Sequence, residues 1–237
     1  MKVTFKDDQG APTKIVEYAY DFGNRWIRKV LDADADLTPD ASRVFVHDGG
    51  QIVLDYEGAG GAGLGAGDLA HRYLWGPATD QLLADEAVDC GADQTPGTAD
   101  DVRWTLGDHL NSVRDWAAYD DRGTATLADD TVTIVKHVVY DAFGNVIADT
   151  VPGVESLLLY TARPFDADTH LQNNLNRWYD ATIGRWLSVD PIGFAAGDAN
   201  LYRYVGNAVT WAVDPWPGCE RRSANTVPIK LRLVKTH

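Results

Sequence analysis

HVVYDAFGNVIAD, from His137 to Asp149, decides how the chain reads. Strand formers flank Asp141 and Gly144. Aspartate favours the start of a turn and glycine supplies the positive φ that closes it, so the segment predicts an antiparallel hairpin. The unit recurs. YDFGNRW at Tyr20 to Trp26, YDDRGT at Tyr119 to Thr124 and YDATIGRWL at Tyr179 to Leu187 each separate Tyr-Asp from Gly by one to three residues, after an apolar or aromatic lead-in. A unit used several times along one chain points to an array of hairpins.

Working outward, strands are predicted at Arg43 to Val46, Gln51 to Tyr56, Arg72 to Trp75, Val102 to Leu106, Val132 to Val139 and Leu157 to Tyr160. PATDQLLADEAVD, Pro77 to Asp89, spaces Leu82, Leu83 and Val88 loosely at helical intervals and reads equally as a short helix or a strand pair. Elsewhere no helical periodicity is sustained, and the fold class expected is mainly β. DADADLTPD (Asp32 to Asp40), GAGGAGLGAG (Gly58 to Gly67) and DCGADQTPGTADD (Asp89 to Asp101) are breaker-rich loops between strands.

Composition agrees. The chain has 237 residues, a length for one or two domains, with 8 Trp, 10 Tyr, 6 Phe and 22 Gly beside a single Met, a mix suited to strands and tight turns. Its 21 basic and 35 acidic residues leave a net charge of −14, which repels a phosphate backbone and argues against nucleic acid as a partner. Between Asp80 and Asp130 stand 13 acidic and 3 basic residues, so most of the acidity lies there. The opening MKVTFKDDQG has no apolar core, so no secretory signal is expected and the compartment stays unassigned. Apolar runs stop near four residues, as in Leu157 to Tyr160, too short for a membrane-spanning helix. Cys90 and Cys219, 129 residues apart, match no metal or redox spacing.

Most motifs read as ordinary structure. Gly58, Gly60 and Gly63 satisfy GxGxxG after QIVLDY, but glycine continues to Gly67 and DLAHRYLW then reads as strand, so a flexible loop replaces a dinucleotide turn. Asp32, Asp34 and Asp36 imitate the first ligands of a calcium loop, yet Leu37 stands where Gly is needed and Arg43 where Glu is needed, leaving a solvated acidic turn. His47, His71, His109, His137, His170 and His237 form no HxxxH or HxH pair, and no GxSxG is present. No cofactor and no metal are therefore expected. The chemistry resides in Asp190-Pro191-Ile192-Gly193 and Asp214-Pro215-Trp216-Pro217-Gly218. These Asp-Pro pairs, 24 residues apart, could bring two carboxylates to one end of a hairpin, where one holds a proton as acid and the other acts as base. Asp-Pro is also a common way to begin a turn.

YTARPFDADTHLQNNLNRWYDATIGRWLSVDPIGFAAGDANLYRYVGNAVTWAVDP, Tyr160 to Pro215, resembles the core domain associated with Rhs (YD) repeats. RYLWGPATDQLLADE, DHLNSVRDW and YDAFGNVI resemble the repeats that precede that core in bacterial Rhs proteins, so the likeness extends from about Tyr18 to Pro215. It implies YD hairpins forming part of a spiralling β-sheet shell, capped by an Rhs core domain, as in Rhs toxins, the C components of insecticidal Tc complexes and teneurins. It also implies three segments: hairpin repeats over 1–150, the core over 151–218 and a short basic variable tail over 219–237. In such proteins the shell encloses a C-terminal toxin and the core cuts the chain by aspartyl autoproteolysis just after the second motif. The residues matching the catalytic pair are Asp190 and Asp214, with Arg185 as an orienting or charge-stabilising group.

Three departures from the family pattern touch turns. DPWPGC replaces the usual DPxG followed by Leu or Phe, Asn207-Ala208 replaces Asn-Pro, and Ala162-Arg163-Pro164 replaces Gly-Arg-Glu. A toxin domain needs about a hundred residues and only 18 follow Cys219, so none is expected here. A closed shell needs more hairpins than this chain supplies, so further shell segments or an upstream chain are the expected partners covering its strand edges. The 24 aromatic residues motivate a different reading, a surface module that stacks on glycans.

Overall fold

The computed structural model describes residues 1–88, 95, 98, 101–124 and 126–214. Cys90, most of the Asp89 to Asp101 loop, the DPWPGC departure beyond Asp214, Cys219 and the basic tail lie outside the described residues. The chain is mainly antiparallel β. Eleven strands make the first sheet: β1 (Lys2–Lys6), β2 (Pro12–Tyr20), β3 (Trp26–Asp32), β4 (Ala41–Asp48), β5 (Gln51–Ala59), β6 (Leu69–Trp75), β7 (Leu82–Ala87), β8 (Val102–Gly107), β9 (Val113–Asp120), β10 (Thr131–Tyr140) and β11 (Val146–Asp149). Each pairs with its neighbour in sequence, so the sheet is one long meander. A second sheet follows in the same way: β12 (Phe165–Asp166), β13 (Leu171–Asn174), β14 (Arg177–Asp180) and β15 (Arg185–Trp186).

Four connections of the large sheet share one hydrogen-bond scheme. In the turn opened by Asp141, its carboxylate accepts from the amides of Phe143 and Asn145 at 2.8 and 3.0 Å, and its own amide donates to the Asn145 carbonyl. Asp21, Asp7 and Asp108 make the same bonds to the residues two and four positions on. The third residue after each aspartate has positive φ: Gly10, Asn24, Asn111 and Gly144. Each turn is followed or preceded by a register shift in its strand pair. The repeat is thus an Asp-anchored turn with a left-handed fourth residue that only glycine or asparagine fills cheaply. At Gly144 packing adds to the requirement, because a Cβ there would lie 2.5 Å from the Tyr160 ring.

YDDRGT and YDATIGRWL vary this scheme. Asp120 and Asp121 accept from the amides of Arg122 and Gly123, and β10 resumes only at Thr131. Asp180 accepts from Thr182, with Gly184 in the left-handed region.

The two sheets share one apolar core. Trp26 of the large sheet packs at ring distances of 5.5, 4.5 and 5.2 Å on Tyr18, Phe45 and Trp178, and Trp178 belongs to the small sheet. Trp178 also donates through Nε1 to the Tyr20 hydroxyl at 2.7 Å. A second aromatic group, Tyr179, Trp186 and Tyr204, sits beside it with ring separations of 4.3 to 5.6 Å. Burial pushes the Tyr179 and Tyr204 hydroxyls well above their ordinary pKa, so both rings stay neutral.

Two segments settle differently from the sequence expectation. Leu157 to Tyr160 forms no strand: Leu157, Leu158, Leu159 and Tyr160 are all buried, with one bridge from Leu158 to Pro164 and a short 3-10 turn at Tyr160–Ala162. Its apolar run fills the core between the sheets instead of alternating across one. The ambiguous Pro77 to Asp89 segment forms a turn and then β7, whose register runs Tyr73 to Asp85 and Asp85 to Arg103. No helix opens after the GxGxxG glycines; β5 runs through Gly58, a 3-10 turn covers Ala66–Asp68, and β6 begins at Leu69.

Candidate functional site

The small sheet places Arg177 at the start of β14, where a tight turn at Leu175, φ 57°, sends the chain back from β13. Its guanidinium lies 4.1 Å from the centre of the Trp186 ring, a stacking contact that restricts its plane. From there it holds two carboxylates at once. Nη1 donates to Asp190 Oδ2 at 2.7 Å and Nη2 donates to Asp214 Oδ2 at 2.9 Å. Side-chain exposures of 13, 17 and 21% for Arg177, Asp190 and Asp214 put the group mostly out of water, where Coulomb attraction gains strength.

Main-chain bonds fix Asp190 further. Its Oδ1 accepts from the Ile192 amide at 2.8 Å, its amide donates to Leu201 and its carbonyl accepts from Gly193. The two Asp-Pro motifs therefore meet, as their spacing allowed, through a shared cation. Arg185 does not join them. Its strand neighbour Trp186 points into the core, so Arg185 faces outward, stacking 4.5 Å from Tyr202 and donating weakly to the Trp186 carbonyl. Arg177, and not Arg185, is the cation that pairs with both acids.

A second ion pair adjoins the first. Arg163 Nη2 donates to Asp80 Oδ2 at 2.8 Å and lies 3.5 Å from the main-chain oxygen of Asp214. Asp80 comes from the β6–β7 connection, where it holds a left-handed conformation with φ 55°. Burial raises its pKa to about 6 against the pull of Arg163, and the charge of Asp214 adds to the rise. Sequence reasoning missed Arg177, Arg163 and Asp80.

Two further polar groupings pair within themselves. Asp32, Asp34 and Asp40 each bring an oxygen within 4.8 Å of the others, and their carboxylates accept from the amides of Asp36, Leu37 and Ala33 as turn anchors. A cavity of about 590 Å³ between the sheets is lined by Lys29, Lys136, Asp149, Asp166 and Asp168. Lys29 pairs there with Asp166 and Asp168, and Lys136 with Asp149. Trp26, Trp116, Trp186 and Tyr179 are fully buried, whereas Phe22, Trp104, Phe194 and Trp211 are exposed. Among the described residues, no helix is long and apolar enough to cross a membrane.

Known proteins bear on this arrangement. Residues 111–208 match the Teneurin YD-shell family. The chain is 40% identical over 81 residues to double-stranded DNA deaminase toxin A of Burkholderia cenocepacia, covering 32% of this chain and 6% of that protein. It is 36% identical over 77 residues to YibJ of Escherichia coli, covering 32% of each. Its fold superposes on the TcdB2-TccC3-Cdc42 crystal structure with a TM-score of 0.61 at 17% identity, covering 90% of this chain and 10% of that one. The chain thus spans at most about a third of these proteins. In its meander of hairpins, in residues 111–208 and in its sequence relatives, this chain is similar to YD-repeat shell proteins.

Proposed function

We propose that this chain forms the wall and closing core of a β-shell that holds a C-terminal cargo, and that its core frees the cargo by cutting its own chain beyond the second Asp-Pro motif. The observation that carries the proposal is Arg177, which seats Asp190 and Asp214 on its two terminal nitrogens. Two carboxylates so close repel one another, and a shared guanidinium offsets that repulsion while keeping both at one point of the fold. Such a pair can pass a proton between acid and base roles. The likeness to double-stranded DNA deaminase toxin A and to the TcdB2-TccC3-Cdc42 structure supports the same assignment.

The expected partners are further shell segments, since among the described residues β1 and β11 each pair on one side only. Intact mass tests the cutting role directly. Purified wild type, Asp190→Asn and Asp214→Asn are incubated at pH 5 and pH 7. Wild type is expected to lose a short C-terminal piece, and replacing a carboxylate is expected to suppress that loss. A single full-length mass in all three overturns self-processing and leaves a wall-building role.

A further inference from the structure

Two connections of the large sheet reach the segment that ends at Asp214. From the β6–β7 connection, Asp80 Oδ2 accepts from Arg163 Nη2 at 2.8 Å, and the same nitrogen lies 3.5 Å from the main-chain oxygen of Asp214. From the β8–β9 connection, His109 donates through Nε2 to the main-chain oxygen of Thr210 at 2.7 Å, close before Asp214 in the chain. That connection also steadies the first, because Asn111 Nδ2 donates at 2.9 Å to the carbonyl of Thr79, the residue before Asp80. Asp190 is fixed by bonds within the core, to Arg177 and to the Ile192 amide. The chain leading to Asp214 takes bonds from the repeat sheet as well.

Asp80 is costly where it stands. Its side chain is only 10% exposed, its backbone is left-handed at φ 55°, and burial together with the charge of Asp214 works against its ionised form. Stability favours neither feature, and strain of this kind gathers at working sites.

We propose that Asp80 is a positioning residue for the aspartyl pair: through Arg163 it holds the main chain at Asp214, so that the core cuts only when the repeat sheet is folded against it. This rests on the self-processing role proposed above. Ionised, Asp80 draws Arg163 into a charge-assisted bond; protonated, it offers the guanidinium a neutral oxygen and a weaker hold. The charged groups facing Asp80 are Arg163 and Asp214, with Arg177 and Asp190 beyond Asp214. With its pKa raised to about 6, Asp80 is mostly protonated at pH 5 and mostly ionised at pH 7. Its hold on Arg163 therefore strengthens across that interval.

The test follows the rate of self-cutting in the full chain by intact mass at pH 5 and pH 7, with circular dichroism as a check on folding. Dividing each variant's rate by that of wild type at the same pH cancels the pH dependence of the aspartyl pair itself. At pH 7 Asp80→Asn, close to Asp in shape but neutral, is expected to slow the cut by about 100-fold, the effect of displacing a reacting group by about 1 Å. At pH 5, where wild type carries a neutral Asp80, the difference should nearly vanish. Asp80→Glu keeps the charge and should recover more of the pH 7 rate than Asp80→Asn. Arg163→Gln should be slow at both pH values, and adding Asp80→Asn to it should cost nothing further, since Asp80 acts through Arg163. An Asp80→Asn chain that cuts as fast as wild type at pH 7, or one that is slowed equally at both pH values, overturns the role of Asp80 and leaves self-processing standing. No cut in wild type at either pH overturns self-processing and the role of Asp80 with it.

Discussion

The eleven-stranded sheet and the four-stranded sheet are built by different means. The large sheet repeats a local solution: an aspartate caps its own turn, a left-handed residue closes it, and the next strand pairs with the last. The small sheet has strands of two to four residues and depends on contacts from far along the chain: Trp178 on Trp26, Arg177 on Asp214, Arg163 on Asp80. Repetition builds a wall cheaply, whereas a site needs residues drawn together from distant positions. The turns of the wall carry little chemistry because their carboxylates are spent on backbone amides.

The sharpest way to break this contrast is Trp26→Ala. Trp26 is 1% exposed and touches rings of both sheets, so its truncation should cost about 3–5 kcal/mol and leave one cooperative transition in denaturant. Two separate transitions would mean the sheets are independent bodies. Next comes Arg177→Met, which leaves Asp190 and Asp214 facing each other without a cation. A loss near the lower end of the range for broken buried pairs, about 3 kcal/mol, is expected, because the group keeps some contact with water. An equilibrium unfolding curve at pH 7 measures it.

Asp80 gives a pH-dependent version of the comparison. Its folded pKa, raised from 3.8 to about 6, means that the folded chain holds a proton the unfolded chain has released. Stability from this group is therefore full below about pH 4 and is lost as pH rises through about 6, to the extent of about 3 kcal/mol. Subtracting the stability profile of Asp80→Asn from that of wild type should isolate this fall. Arg163 and Asp214 are the charged groups facing it, and equal slopes in both proteins would remove Asp80 from the site's electrostatics.

In the wall, Asp141→Ala should cost about 1 kcal/mol through its lost turn bonds. Combined with Asp7→Ala the costs should add, since the turns share no partners. Arg185→Ala is expected to have the smallest effect, within about 0.5 kcal/mol, and to leave any self-cleavage unchanged.

How much the sequence disclosed follows the same division. The hairpins at Asp21 and Asp141 were legible because Tyr-Asp and Gly mark them, and strand positions from Arg43 onward followed from alternation. The turns at Asp7 and Asp108 obey the same chemistry without a tyrosine before them, so a motif written around Tyr-Asp passed over them. Leu157 to Tyr160 misled because an unbroken apolar run signals burial without saying whether a partner strand exists. At the site, the two Asp-Pro motifs were visible as motifs. Arg177, Arg163 and Asp80 were not, because partners 13 to 83 residues apart are chosen by the fold and leave no spacing to read.

Strand order in the large sheet equals chain order throughout. A hairpin inserted or deleted within it would therefore shift its neighbours along the sheet without re-threading any connection. Such connectivity lets a sheet change its width in small steps by duplication or loss of one unit, as a coil gains or loses a turn.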